Sequence, residues 1–209
     1  YASSVLLFTG IKATSKAPIG SIGSVIGNMR EGLGYVRSTP VVYGLIVVAF
    51  IVNLTGFPLY YGLLAVLAKD VLETTSQGLG QLLGMYSVGT IVGSIIVAVF
   101  AGMRMPGRTV MAASALWHVS SIVIAYVRWF TVSLPILFFA GLAHGFAMIT
   151  MTMMILTLTR AEMRGRVLGL RHLAVYGLPL GLFLSGFVAQ RYGVSVALVV
   201  NGVAGLGAL

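Results

Sequence analysis

Six stretches of this chain are too apolar to belong to a water-soluble globule, and they constrain the fold before any motif does. They lie near residues 41–67, 79–101, 109–127, 132–158, 167–189 and 193–209. Crossing about 30 Å of hydrocarbon at about 1.5 Å per helical residue takes about 20 residues. The first five runs reach or approach that length, and the sixth is cut short by the end of the chain. With no water to bond exposed amides, each run has to satisfy its own backbone, and only a helix does that within one segment. The expectation is an all-α membrane protein whose main unit is a six-helix bundle over residues 41–209.

Composition agrees. Hydrophobic residues make up 58% of the chain and charged residues 8%, against about 25% charged in a soluble domain. The mean hydropathy is +1.03. Cysteine is absent, which excludes disulfide frameworks and thiolate metal sites. The net charge of +9 would suggest nucleic acid on a soluble chain. Here the basic residues fall between the apolar runs, so membrane topology explains them and no nucleic-acid partner is expected.

Their distribution gives the chain a direction. If residues 11–40 face the cytoplasm, so do Lys12, Lys16, Arg30, Arg37, Arg104, Arg108, Arg160, Arg164, Arg166 and Arg171. Lys69, Arg128 and Arg191 face outward, with Asp70 and Glu73. Positive charge concentrates on the cytoplasmic side, so the start and end of the bundle are expected inside, in a multi-pass cell-membrane protein (the bacterial inner membrane).

Residues 11–40 are expected to form a cytoplasmic linker. Ile22, Val25, Ile26, Met29, Leu33 and Val36 recur at helical spacing among polar residues, which predicts an amphipathic surface helix over 22–36; an irregular linker is the competing reading. Residues 1–10 are apolar but too short to span, and are expected to end a preceding membrane helix.

Glycine pairs four apart allow close helix approach. They occur at Gly80 and Gly84, Gly89 and Gly93, Gly165 and Gly169, and Gly177 and Gly181. Leu83-Gly84 is echoed 85 residues later by Leu168-Gly169. Three spans per copy would make this an inverted repeat, an arrangement common in transporters; chance in a glycine-rich chain is the competing reading.

Several of these motifs resemble those of major facilitator superfamily exporters, in the bacterial branch of the enterobactin exporter and macrolide efflux proteins. The segment from Glu31 to Pro40 resembles the entry to that family's seventh helix, and Asn53 to Leu59 the helix itself. Gly78 to Gly84, with Gly89 and Gly93, resembles the eighth. Ala161 to Val167 and Gly177 to Gly181, with Gly186, resemble the tenth-to-eleventh loop and the eleventh helix. The resemblance implies that the chain is helices seven to twelve, one half of a twelve-helix fold built as 3+3 inverted repeats. It implies secondary transport of a drug-like or siderophore-like small molecule by alternating access, without enzymatic activity or cofactor. One departure is visible. Where a second copy of the cytoplasmic signature G-x-x-x-D-R-x-G-R would fall, Gly107 and Arg108 match but Arg104 replaces the acid.

None of the four acids, Glu31, Asp70, Glu73 and Glu162, falls inside an expected span. Buried carboxylates are the usual proton carriers of transporters, so proton coupling is expected through an N-terminal half. His144, mid-span between Gly141 and Gly145, shares a helical face with Met148, Met151 and Thr152. An imidazole changes charge near physiological pH, and methionine surfaces adapt to varied ligands. Asn53, Gly56 and Tyr60 share a face of the first span, where Pro58 cannot donate to the carbonyl of Leu54 and a kink is expected. The resemblance places these residues on cavity-lining helices, so Asn53, Gly56, Tyr60, His144, Met148 and Thr152 are the candidate substrate pathway. Packing between helices is the competing reading for each. His118 is expected to be a packing residue. Arg108, Arg164, Gly165 and Arg166 are candidate cytoplasmic loop or gating residues. No catalytic constellation, phosphate loop or metal spacing appears. The competing function is a non-transporting membrane scaffold or assembly subunit.

Overall fold

Thr39 and Pro40 separate a first helix from the first long apolar one, and the described residues remain helical almost throughout thereafter. The computed structural model describes residues 22–99 and 106–209. The expected helix end at 1–10, the first part of the linker with Lys12 and Lys16, and Arg104 lie outside the described residues.

Helix α1 (Ile22–Ser38) is the amphipathic helix expected from Ile22 to Val36. Pro40 occupies the start of α2, where a missing amide hydrogen costs nothing. α2 (Pro40–Asp70), α3 (Ser76–Val99), α4 (Pro106–Ala125) and α5 (Phe130–Leu158) are each long and apolar enough to cross a membrane. A fifth such element, Ala161–Tyr192, is composite. A single turn leads into α6 (Arg164–Leu173), and a second turn at Ala174–Tyr176 leads into α7 (Gly177–Tyr192). α8 (Val194–Ala208), at 15 residues, is apolar but shorter than a full crossing. Gly193 joins α7 to α8 at φ +91°, a conformation that side chains disfavour.

Five of the six expected spans therefore recur with shifted ends, and the sixth is a shorter apolar helix. Arg164, Gly165 and Arg166, expected in a loop, lie on α6, and Arg108 lies in the first turn of α4. Hydropathy finds the depth of a segment in lipid, not its helicity, so a charged helix at the membrane face reads as a loop.

Side chains are distributed inside out. Val88, Ile91, Ile95 and Val99 form an exposed stripe along α3, and Leu180, Phe183, Leu184 and Phe187 form another along α7. Polar residues join the apolar interior: Thr55, Ser114, His118, Ser121, Ser133, Ser185 and Asn201 are buried among leucine, valine and alanine. Lipid offers no hydrophobic drive for helices to associate, so close packing and hydrogen bonds between helices hold such a bundle together. Asn201 donates to Ser185 at 2.7 Å and Ser121 to the carbonyl of Leu198 at 3.2 Å, tying α8 to α7 and α4.

α3 and α5 approach each other closely. A methyl group at Gly89 would overlap the carbonyl of Phe138, and one at Gly141 would overlap that of Tyr86. Gly93 and Gly145 repeat the pattern one turn on, against Leu142 and Thr90. Four glycines thus face the partner's backbone reciprocally, with no side chain between. α7 approaches α2 in a similar way, with Gly177 against Phe50 and Gly181 against Leu54. By contrast, Gly80, Gly84, Gly165 and Gly169 have nothing within reach. Half of the expected glycine pairs therefore serve packing, and Gly141 and Gly145 form a further pair.

Candidate functional site

Pro58 breaks the α-helical ladder of α2, as expected, and the break takes a specific form. The backbone widens to π-spacing at Val52–Gly56 and again at Leu59–Leu63, so Phe57 N–H reaches Val52 and Leu64 N–H reaches Leu59. π-segments inside α-helices occur often at functional sites. The carbonyl of Leu54, which Pro58 cannot bond, lies under Gly181, where α7 has no side chain.

The widened region carries aromatic residues into the bundle. Gly56 leaves room for Trp117 of α4, whose ring would sit 3.3 Å from a methyl group there. Trp117 stacks on His144 of α5, with centroids 4.6 Å apart and planes at 26°. Phe57 meets both rings edge-on, at 5.1 Å in each case. On the other side Tyr86 of α3 stacks on His144 at 5.7 Å, and Tyr60 stacks on Tyr86 at 4.5 Å. Five aromatic rings from four helices thus form one array. Offset and edge-on pairs of this kind each contribute about 0.5–1.5 kcal/mol beyond burial.

Polar atoms give the array an orientation. Thr90 donates its hydroxyl proton to the carbonyl of Tyr86 at 3.0 Å and lies 3.4 Å from His144 Nδ1. In the tautomer that carries its proton on Nδ1, the ring donates to Thr90 and leaves Nε2 as an acceptor. The Tyr60 hydroxyl lies 3.3 Å from Ser87 Oγ. The Tyr86 hydroxyl and Trp117 Nε1 are both buried. Trp117 and Tyr86 form the floor of the array, and Phe57, Tyr60 and His144 are half-buried above it.

Of the expected pathway residues, the structure brings Gly56, Tyr60 and His144 together. Asn53 is buried and donates to the carbonyl of Ala49 at 2.8 Å within its own helix. Met148 and Thr152 continue from His144 along α5; both are half-buried, and Thr152 donates to the carbonyl of Met148 at 2.7 Å. Met151, expected on the same face, is fully buried. Phe57, Tyr86 and Trp117 are missing from that expectation. Trp117 carries a readable signal, because tryptophan in membrane helices favours the interface and this one stands mid-span.

His118, beside Trp117, is a packing residue as expected. Its Nδ1–H donates to the carbonyl of Ser114 at 2.7 Å, and Nε2 lies 2.8 Å from Thr55 Oγ. Thr55 also lies 2.7 Å from the carbonyl of Ile51, so its single proton serves two acceptors. Gly205 of α8 closes directly onto the imidazole.

The basic residues sit elsewhere. Arg166 donates to Glu31 at 2.9 Å and to Asn28 at 2.9 and 3.1 Å, tying α6 to α1. Arg164 donates to the carbonyl of Thr159 at 3.3 Å. Gly165 is exposed with nothing against it. Arg108 lines a groove of about 450 Å³ between α4 and α5 with Leu116, Leu142 and Phe146. No group of three or more metal-ligating side chains occurs among the described residues.

A family model described as transmembrane secretion effector matches residues 8–209. No curated protein and no solved structure matches the chain.

Proposed function

The chain belongs to the transmembrane secretion effector family of major facilitator transporters, and from that membership we propose that it is part of a secondary transporter exporting drug-like or siderophore-like molecules by alternating access. The observation that carries the mechanism is the aromatic array around His144, placed where α2 departs from α-helical spacing. Phe57, Tyr60 and His144 would face the solute, with Met148 and Thr152 extending the path along α5. Asn53 belongs to it only if α2 rotates, since its amide is engaged within the helix.

The array suits a particular chemistry. Its rings offer stacking faces, and His144 Nε2 offers an acceptor to a hydroxyl or N–H group. Among the acids, Asp70 ends α2, Glu73 follows it, Glu162 stands before α6, and Glu31 lies on α1. Proton coupling through a carboxylate is therefore assigned to an N-terminal half.

Helix pairing supports the reading of residues 41–209 as a half-bundle built from two inverted three-helix units. Counting α2–α4 as one unit and α5, α6/α7 and α8 as the other, the second element of each unit packs by glycine onto the first element of the other. These are α3 on α5 and α7 on α2. In this reading Arg108, Arg164, Gly165 and Arg166 lie on the cytoplasmic face, where α6 moves with α1.

Reconstitution of the intact protein into liposomes with an imposed proton gradient tests the proposal. Gradient-dependent flux of an aromatic dye, abolished by a protonophore, is the expected result. A folded protein that moves none of a panel of amphipathic solutes would favour the scaffold reading.

A further inference from the structure

We propose that the groove between α1, α2 and α6 is a binding site for one anionic phospholipid of the membrane leaflet at that face. Two adjoining concavities form it. One, of about 320 Å³, is almost wholly apolar and is walled by Leu33, Val47, Phe50 and Leu173. The other, of about 350 Å³, shares Leu170 and Leu173 with the first and ends at Asn28 and Arg166. The result is an apolar groove with a polar end, where the Arg166 charge is met by Glu31.

Charge complementarity selects the occupant. Residues 22–38 and 160–173 carry six arginines (Arg30, Arg37, Arg160, Arg164, Arg166 and Arg171) against two glutamates. Among the described residues the one ion pair is that of Arg166 with Glu31. Arg30 and Arg37 stand one turn either side of Leu33 on α1 and are exposed. A phosphodiester supplies the anion that this surface lacks, and its acyl chain covers Leu33, Val47, Phe50 and Leu173. The last three are exposed apolar side chains that would otherwise need cover, and so is Leu33. Basic pockets between helices at a membrane face recognise anionic headgroups in this way. A zwitterionic lipid would fill the channel but gain nothing from the arginines.

The site can be read by native mass spectrometry of the intact protein, released from detergent with equal amounts of phosphatidylglycerol and phosphatidylcholine. The expected result is selective retention of phosphatidylglycerol, weakened about fivefold for each arginine removed in Arg30→Gln and Arg37→Gln. Leu173→Trp, which fills the channel, should abolish retention while the protein stays monodisperse with an unchanged melting temperature. Equal retention of both lipids would overturn the proposal. So would phosphatidylglycerol retention that ignores Leu173→Trp, which would place the lipid elsewhere or give the groove to another part of the chain.

Discussion

His144 lies flat against Trp117, with ring centroids 4.6 Å apart and planes 26° from parallel. The two residues come from α5 and α4, and Gly56 of α2 makes room for the indole. Removing the indole should therefore do two things. Trp117→Ala leaves a cavity in a fully buried position, at a cost of about 3–5 kcal/mol, and frees the imidazole to turn. Trp117→Phe keeps a ring under His144 and should retain most stability. Melting temperatures in detergent should rank wild type first, then the Phe variant, then the Ala variant.

Backbone contact between α3 and α5 admits no methyl group. Gly141→Ala should lower stability by about 1–3 kcal/mol through overpacking, and Gly89→Ala similarly. Gly84→Ala, on the same helix as Gly89 but facing nothing, serves as the control and should leave the melting temperature unchanged or slightly raised.

Pro58 holds α2 out of regular spacing. Pro58→Ala restores an amide donor and should raise thermal stability, by less than the roughly 3 kcal/mol that a proline costs inside an unconstrained helix. Transport should fall, because the aromatic residues on either side would rotate out of register. A variant both stabilised and fully active would show that the break is incidental.

Thr55 supplies the hydroxyl facing His118 Nε2 at 2.8 Å. Thr55→Val keeps the shape and leaves a buried acceptor without a donor, which should cost about 1–3 kcal/mol. Thr55→Ser, which restores the hydroxyl, should recover most of that loss in the same melt.

The ion pair between Arg166 and Glu31 is partly exposed, with side chains 32% and 58% accessible. Breaking it should change stability by no more than about 1 kcal/mol. Its effect should appear instead in how firmly α1 follows α6. A cysteine at Asn28 should react faster with a soluble maleimide in Glu31→Lys than in wild type, and the double exchange Glu31→Lys with Arg166→Glu should restore the slow rate.

Much of this architecture was legible in the sequence, for physical reasons. Apolar runs of crossing length satisfy their own backbone as helices, and the residues from Ile22 to Val36 recur at helical spacing, so the helicity of both was readable. Pro58 announced a broken ladder, but not that it would widen to π-spacing, because α and π turns draw on the same residues. The helicity of Arg164 to Leu173 was hidden because charge lowers hydropathy without unwinding a helix. Gly89 and Gly80 looked alike, since a glycine pair permits close approach and only the partner helix decides whether it happens. At the site, His144 and Tyr60 stood out as polar groups in apolar runs. Tyr86 and Phe57 did not, because stacking between helices leaves no spacing pattern within any one of them, and Trp117 was readable only as a tryptophan at mid-span.

The central claim is that solute passes along the array at His144, and efflux by single variants tests it most directly. In cells expressing the intact protein, Tyr60→Ala and His144→Ala should each reduce efflux of a transported aromatic dye at least about tenfold, with surface amount and melting temperature close to wild type. Asn53→Ala should have a smaller effect, since its amide is engaged within α2. Efflux unchanged in Tyr60→Ala and His144→Ala, at wild-type protein levels, would contradict the account and leave the array as packing alone.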